Sequence, residues 1–225
     1  MSIATNSFRQ FYRDYTVGTP RSDLDRALQP FSGTTRILKT DDPQKDTTDL
    51  FRKNYAILGE STFQWSQAPS ETQLMEQARR VGADAVLYDG EYPGIPQATA
   101  PAIHSTTVAP AAHAYDALFF RKRKASVVGL GIANLTGEMR HSLHRETGVY
   151  VRYVRDDSPA SKANFAAGDV IVAIDEIAVK SATDYIDTAL KFAGTERKFR
   201  VLRGGKEIAI PIKLNPLPAA GGKEQ

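Results

Sequence analysis

Gly129 and Gly131 flank a single leucine in Val127-Val128-Gly129-Leu130-Gly131-Ile132, and paired glycines of this kind can let a backbone turn closely around a phosphate. A dinucleotide site would need a third glycine and a strand–helix–strand unit ending on an acid. Position 134 holds asparagine and no such unit follows, so that chemistry is discarded. Ser61, in Gly59-Glu60-Ser61-Thr62-Phe63, lacks the second glycine of a nucleophile elbow, and no serine sits in a glycine-rich oxyanion loop. His141 and His144 have a spacing that can bind metal on a helix, but two ligands are too few and Leu143 marks the buried face, so a solvated pair is the reading. His104 and His113 carry no placed partner, and Asp156-Asp157 sit before a capped helix where turn and dipole roles suffice. With no cysteine, disulfides, thiolate metal sites and a cysteine nucleophile are excluded. The expectation is a protein that is not an enzyme and has no cofactor and no metal.

The elements around the glycine pair are legible in order. A strand starts at Gly131, then a helix places Leu135, Met139 and Leu143 on one face. Gly148 to Val154 alternates as a strand, and Ser158-Pro159 reads as an N-cap with proline in the first turn. Ala167-Gly168-Asp169 turns into Val170 to Ile174, an apolar strand buried on both faces. Ser181 caps a helix to about Ala193. Strands Arg197 to Arg203 and Lys206 to Leu214 are joined by Gly204-Gly205, a strong hairpin signal, and Pro211 suits an edge or a bulge.

Upstream, Thr35 to Tyr88 alternates strands and helices. Arg36 to Lys39 is a strand candidate, Asp41-Asp42-Pro43 opens a helix over Thr47 to Asn54, and Tyr55 to Gly59 runs as a strand towards Phe63 and Trp65. Ser70 and Gln73 form a capping box before the Leu74/Ala78/Val81 stripe, Gly82 ends that helix, and Ala83 to Tyr88 closes the unit. Phe8, Phe11, Tyr12 and Tyr15 are expected on one helix, with Leu24 and Leu28 on another. Tyr92 to Ala114 is rich in Pro, Ala and Thr and reads as a linker, the alternative being an ordered loop packed on a neighbour. Tyr115 to Phe120 looks extended. Arg121 to Lys124 are four adjacent bases without a recognition motif, read as a solvated strand end rather than a nucleic-acid or membrane site. The formal charge of +3 comes from both signs in near balance and adds little to that.

The stretch SPASKANFAAGDVIVAIDEIAVKS, in this order of elements, closely resembles the PDZ domains of HtrA-family proteases, in which a Gly-Leu-Gly-Phe-like loop opens the peptide site. Two departures stand out. Asn164 occupies the place of a usual glycine, and asparagine tolerates positive φ; Asp175-Glu176 replaces a usual Asn-Gly turn, so that hairpin is expected to be altered rather than lost. Leu58-Gly59-Glu60-Ser61-Thr62-Phe63 and Gly82-Ala83-Asp84-Ala85-Val86-Leu87 are also similar to motifs of exported bacterial PDZ proteins.

Together with the strand–helix alternation upstream, this gives an α+β chain: a small N-terminal α/β sandwich module over residues 1–91, a linker over 92–114, and a disordered tail over 217–225, while the resemblance implies a PDZ domain with a leading strand over 115–216, a partly open barrel or sandwich capped by helices. It implies peptide binding by strand addition along Val128, Gly129, Leu130, Gly131, Ile132 and Ala133, with the amides around Leu130, Gly131 and Ile132 holding the terminal carboxylate and Leu130 and Ile132, with Ile186, Ala189 or Leu190 from the helix, as pocket walls. Gly131 is expected to be glycine so that a peptide backbone can approach. Two helix stripes, Tyr185/Ala189/Phe192 and Ile186/Leu190/Ala193, compete for the core, and periodicity does not rank them. A protease would need about 200 further residues, judged from ordinary domain sizes. The expected function is therefore a peptide-binding adaptor or scaffold, the alternative being an accessory subunit of a separate protease or other enzyme. Its partners would be protein C-termini or extended peptides, an envelope protease or membrane protein among them, with no nucleic acid; the oligomeric state is left open. The similarity to exported PDZ proteins implies a periplasmic or outer-envelope location, with the signal or lipid-attachment site upstream; because Met1 to Thr16 has no apolar core of an export signal, the alternative is cytoplasmic.

Overall fold

The computed structural model describes residues 6–65, 69–89 and 113–218. The chain divides into two compact units, the first comprising Met1–Leu24, Leu28–Thr47 and Ala56–Lys122, and the second Asp25–Ala27, Thr48–Tyr55 and Arg123–Gln225. The expected linker lies almost wholly outside the described residues, as does most of the expected tail. No described helix is long and apolar enough to cross a membrane.

In chain order, the first part of the molecule runs α1 (Ser7–Gln10), β1 (Tyr12–Asp14), α2 (Arg21–Ala27), β2 (Arg36–Lys39), α3 (Pro43–Arg52), β3 (Tyr55–Trp65), α4 (Glu71–Val81), β4 (Ala85–Asp89) and β5 (His113–Lys122). Among the described residues these strands form a five-stranded sheet in the order β1-β3-β5-β4-β2, with β2 parallel to β4 and β4 antiparallel to β5. The strand expected to lead into the C-terminal domain thus lies inside the first sheet. Ala117, Phe119 and Phe120 of β5 are buried, which a central strand requires.

The capping box is formed in both directions: the Gln73 amide donates to Ser70 Oγ at 3.2 Å and the Ser70 amide to Gln73 Oε1 at 3.0 Å. Gly82 ends α4 in the left-handed conformation, and Leu74 and Ala78 fill the core. The aromatic segment at the start departs from expectation. Phe8 lies on a single helical turn and packs edge-on against Phe63 at 5.1 Å, but Tyr12 belongs to strand β1. Helix α3 starts at Pro43, four residues before the expected Thr47. The Arg121 to Lys124 run is half-buried rather than solvated; the Arg121 guanidinium donates to the carbonyls of Gly82 and Val81.

The remainder runs β6 (Leu130–Asn134), α5 (Gly137–Leu143), β7 (Val149–Val154), α6 (Pro159–Lys162), β8 (Val170–Ile174), β9 (Ile177–Ala178), α7 (Ala182–Lys191), β10 (Glu196–Arg203) and β11 (Lys206–Lys213). The sheet order is β11-β10-β8-β7-β6, with β9 hairpinned on β8. All five residues of β8 are buried: Ile171 and Ile174 belong to the main core with Val149, Val151, Phe199, Val201, Ile212 and Tyr185, and Val170 and Val172 to a second cluster with Leu135. Asn164 adopts φ 60°, so the turn survives the loss of its usual glycine; at Asp175-Glu176 only Asp175 has positive φ, 50°, and β8 and β9 still pair across an altered turn. Gly204 and Gly205 both have positive φ, as a tight two-residue hairpin demands. Asp169 is buried and accepts two bonds from Arg203, at 2.7 and 2.8 Å, and one from the Ala166 amide at 2.9 Å, which fixes the turn into β8. The second unit also uses chain from upstream: the Arg123 amide donates to the Asn54 carbonyl at 2.8 Å and the Asp156 amide to that of Arg52 at 2.9 Å.

Candidate functional site

Strand β6 ends the second sheet. It pairs with β7 along one side, and no strand among the described residues lies along the other. Its register with β7 shifts between Gly131 and Ile132, a bulge that increases local twist. An edge of this kind offers unpaired backbone groups to an incoming strand.

The loop before β6 is held from three directions. The Val127 carbonyl accepts from the Asn215 amide at 3.0 Å, that of Val128 from Ala160 at 2.9 Å and that of Gly129 from Arg155 at 2.8 Å. Gly129 has φ +92°, and a Cβ there would stand 2.1 Å from the Cβ of Ser158, so both conformation and space demand glycine. Gly131 differs from expectation. Its φ is not positive, and the position of a Cβ is taken by the Tyr153 ring, 2.2 Å away. Glycine at 131 is therefore required by a neighbour within the domain.

On the far side, the Asn134 side-chain oxygen accepts from the Ala182 amide at 2.7 Å and ties the end of β6 to the start of α7, whose cap is Ser181. The sheet ranks the two helix stripes: Tyr185 and Ala189 are buried, whereas Ile186 and Leu190 are 47% and 44% exposed and lie one turn apart. The candidate residues thus sort into a buried frame of Val128, Gly129, Leu130, Gly131 and Ala189, a half-buried Ile132 and Ala133, and an exposed ridge of Ile186 and Leu190.

Sequence reasoning missed Ser126, Asn134, Tyr153 and Arg155. Tyr153 lies against Gly131 on one face and stacks on Phe51, of the same unit, at 5.7 Å. Arg155 donates from Nη1 to Ser126 Oγ at 3.0 Å. Burial, then the positive charge of Arg155, holds the Arg123 guanidinium below the usual arginine range. Burial pushes the Tyr185 phenol well above its ordinary range, and Arg155 offsets part of that rise. No cluster able to hold a metal occurs among the described residues.

A PDZ-domain family profile matches residues 126–214. A protein of Pseudomonas putida described as a probable periplasmic serine endoprotease, DegP-like, is 32% identical over 94 residues, which are 41% of this chain and 20% of that protein. One of the same description from Rickettsia conorii is 32% identical over 91 residues, 39% of this chain and 18% of that protein. The chain spans about a fifth of the length of these relatives. Among solved structures, the PDZ domain of HtrA3 bound to a phage-derived ligand is 19% identical with a TM-score of 0.35, covering 39% of this chain and 83% of that one. The HtrA-type protease AlgW with a decapeptide is 22% identical with a TM-score of 0.36, covering 45% and 38%.

Proposed function

Residues 126–214 are a PDZ domain with HtrA-type relatives, and from that premise we propose that the protein is a non-enzymatic adaptor or scaffold of the bacterial cell envelope that binds protein C-termini or extended peptides along β6. The observation that carries this reading is the pairing of an open edge strand with an exposed apolar ridge: β6 has one side unpaired among the described residues, and Ile186 and Leu190 stand exposed on the helix that Asn134 ties to its end. Backbone bonds to the edge would supply affinity, and the ridge would supply side-chain preference. The envelope location is supported by the periplasmic description of the DegP-like relatives. Because those relatives are described as proteases, the second reading is an accessory subunit that regulates a separate protease.

Fluorescence anisotropy against a library of peptides with random C-termini tests the binding reading. Saturable binding that is weakened by substitution of Ile186 supports it; absence of any binder sinks it. Turnover of casein or a chromogenic ester that disappears on mutating one serine would overturn the non-enzymatic part. Co-purification of a protease whose rate changes on adding this protein would favour the accessory reading.

A further inference from the structure

An edge strand that must match an incoming strand binds best when its twist is already fixed, and what fixes the twist of β6 lies behind the sheet. Gly131 stands opposite Tyr153 and Ile132 opposite Val151, so Arg152 is the extra residue of a bulge on β7. Leu130, Ile132, Val151 and Val154 pack in or against the main core, with Tyr185 and Ala189 of α7. Gly131 and Tyr153 therefore face the other way, where the ring lies on the glycine with no side chain to hold it off. Movement of that ring is passed directly to the β6 backbone. The ring is itself held, because Phe51 stacks on it at 5.7 Å with 20° between the planes. Phe51 lies in the last turn of α3, and Thr48–Tyr55 belong to the second unit although the PDZ-family match begins only at residue 126. This turn is tied down. The Arg52 carbonyl accepts from the Asp156 amide, just past the end of β7, at 2.9 Å. Asn54 follows the helix with φ 66°, its carbonyl accepts from the Arg123 amide at 2.8 Å, and its Nδ2 donates to the carbonyls of Arg123 and Lys124 at 3.2 and 3.1 Å.

Resting on the peptide-binding reading above, we propose that Phe51 is a positioning residue for strand addition: by stacking on Tyr153 from behind, it holds the bulged β6–β7 pair in the twist that an added strand must match. The working peptide site of this protein thereby extends to a helix end far upstream of residues 126–214. Phe51 acts on the strand and touches no ligand, so its loss should be felt by any peptide that pairs with β6, whatever the peptide's end group.

The test uses the full chain and the tightest peptide from the library, as the free acid and as the amide. Phe51→Leu should weaken both forms about fivefold, the order expected for losing one aromatic pair. Phe51→Tyr keeps a flat ring and should stay within about twofold of wild type. Tyr153→Leu should weaken binding by a similar factor, and adding Phe51→Leu to it should cost less than about a further twofold, since the two residues act in series. Ile212→Val, buried on β11 at the opposite edge of the sheet, lowers core stability without touching the stack and should leave both affinities within about twofold. Unchanged affinity in Phe51→Leu overturns the proposal. So do additive losses in the double variant, a loss confined to the free acid, a Phe51→Tyr variant as weak as Phe51→Leu, or an equal loss in Ile212→Val. Should Phe51→Leu fail to fold, the wild type still decides: saturating peptide should shift the Phe51 ring resonances in an NMR titration, and unmoved resonances overturn the proposal. A wild type that binds no peptide removes the binding reading and this inference together, whereas peptide binding without dependence on Phe51 removes the inference alone.

Discussion

The two edges of the second sheet are built oppositely. Strand β11 presents Lys206, Glu207 and Lys213 and carries Pro211, which has no N–H to offer a neighbour. Strand β6, Leu130-Gly131-Ile132-Ala133-Asn134, contains no proline and no charge. Charges and prolines are the usual means by which edges are protected against unwanted pairing. The sheet thus guards one edge and leaves the other available, beside an apolar ridge on α7. That asymmetry is a stronger sign of use than exposure alone, because both edges are exposed in the topological sense.

Three experiments break or sharpen the contrast, in falling order of expected effect. At the turn that feeds β6, Gly129→Val must adopt positive φ and displace Ser158, so it should destabilise the domain by about 3 kcal/mol. At the turn that feeds β11, Gly204→Asn should cost less than about 1 kcal/mol, because asparagine tolerates the φ of 55° found there. Urea denaturation of both variants measures the difference, and similar midpoints would show that the β6 loop is not under the constraint described. Next, Ile186→Gln combined with Leu190→Gln should weaken peptide binding about tenfold while stability stays within about 0.5 kcal/mol, since both residues are exposed on a helix and glutamine is a good helix former. The matched pair on the guarded edge, Lys206→Gln with Lys213→Gln, should leave anisotropy curves unchanged. If it weakens binding equally, the ligand does not use β6. The smallest effect belongs to Pro211→Val. Restoring a donor on β11 should add concentration-dependent self-association visible by sedimentation velocity, worth on the order of 1 kcal/mol or less. No change would mean that the charges alone protect that edge.

Much of the second unit was legible because each element there carries its own local signal. Ser158-Pro159 and Ser181 start helices by capping chemistry, Gly204-Gly205 closes a hairpin, and Val170 to Ile174 can only be an interior strand. Asn164 was readable for the same reason, since positive φ is a property of one residue and its immediate turn. What stayed hidden depends on partners distant in the chain. Tyr115 to Phe120 reads as extended from its own residues, but nothing in them says which sheet it joins. The choice between the stripes of α7 required the strand that it packs beside. At Gly131 the structure adds a constraint that sequence could not show, because Tyr153 is 22 residues away and no pattern links the two. Arg155 looks from sequence like an ordinary charge at a strand end; only its bonds to Ser126 and Gly129 distinguish it. At the amino terminus, aromatic spacing mimicked a helix where pairing with β3 imposed a strand on Tyr12.

The strand order of the first sheet also governs when this protein can fold during synthesis. β5 is the last of its five strands to leave the ribosome, yet it takes the middle place between β3 and β4. Until residues up to Lys122 have emerged, β1 and β3 on one side and β2 and β4 on the other lack the strand that stands between them in the finished sheet, leaving apolar flanks with no common partner. Closure therefore waits on a contact distant in sequence, which slows folding and prolongs exposure of those flanks to chaperones or to other nascent chains. A chain that is cut or stalled before His113 would be left with fragments rather than a smaller sheet.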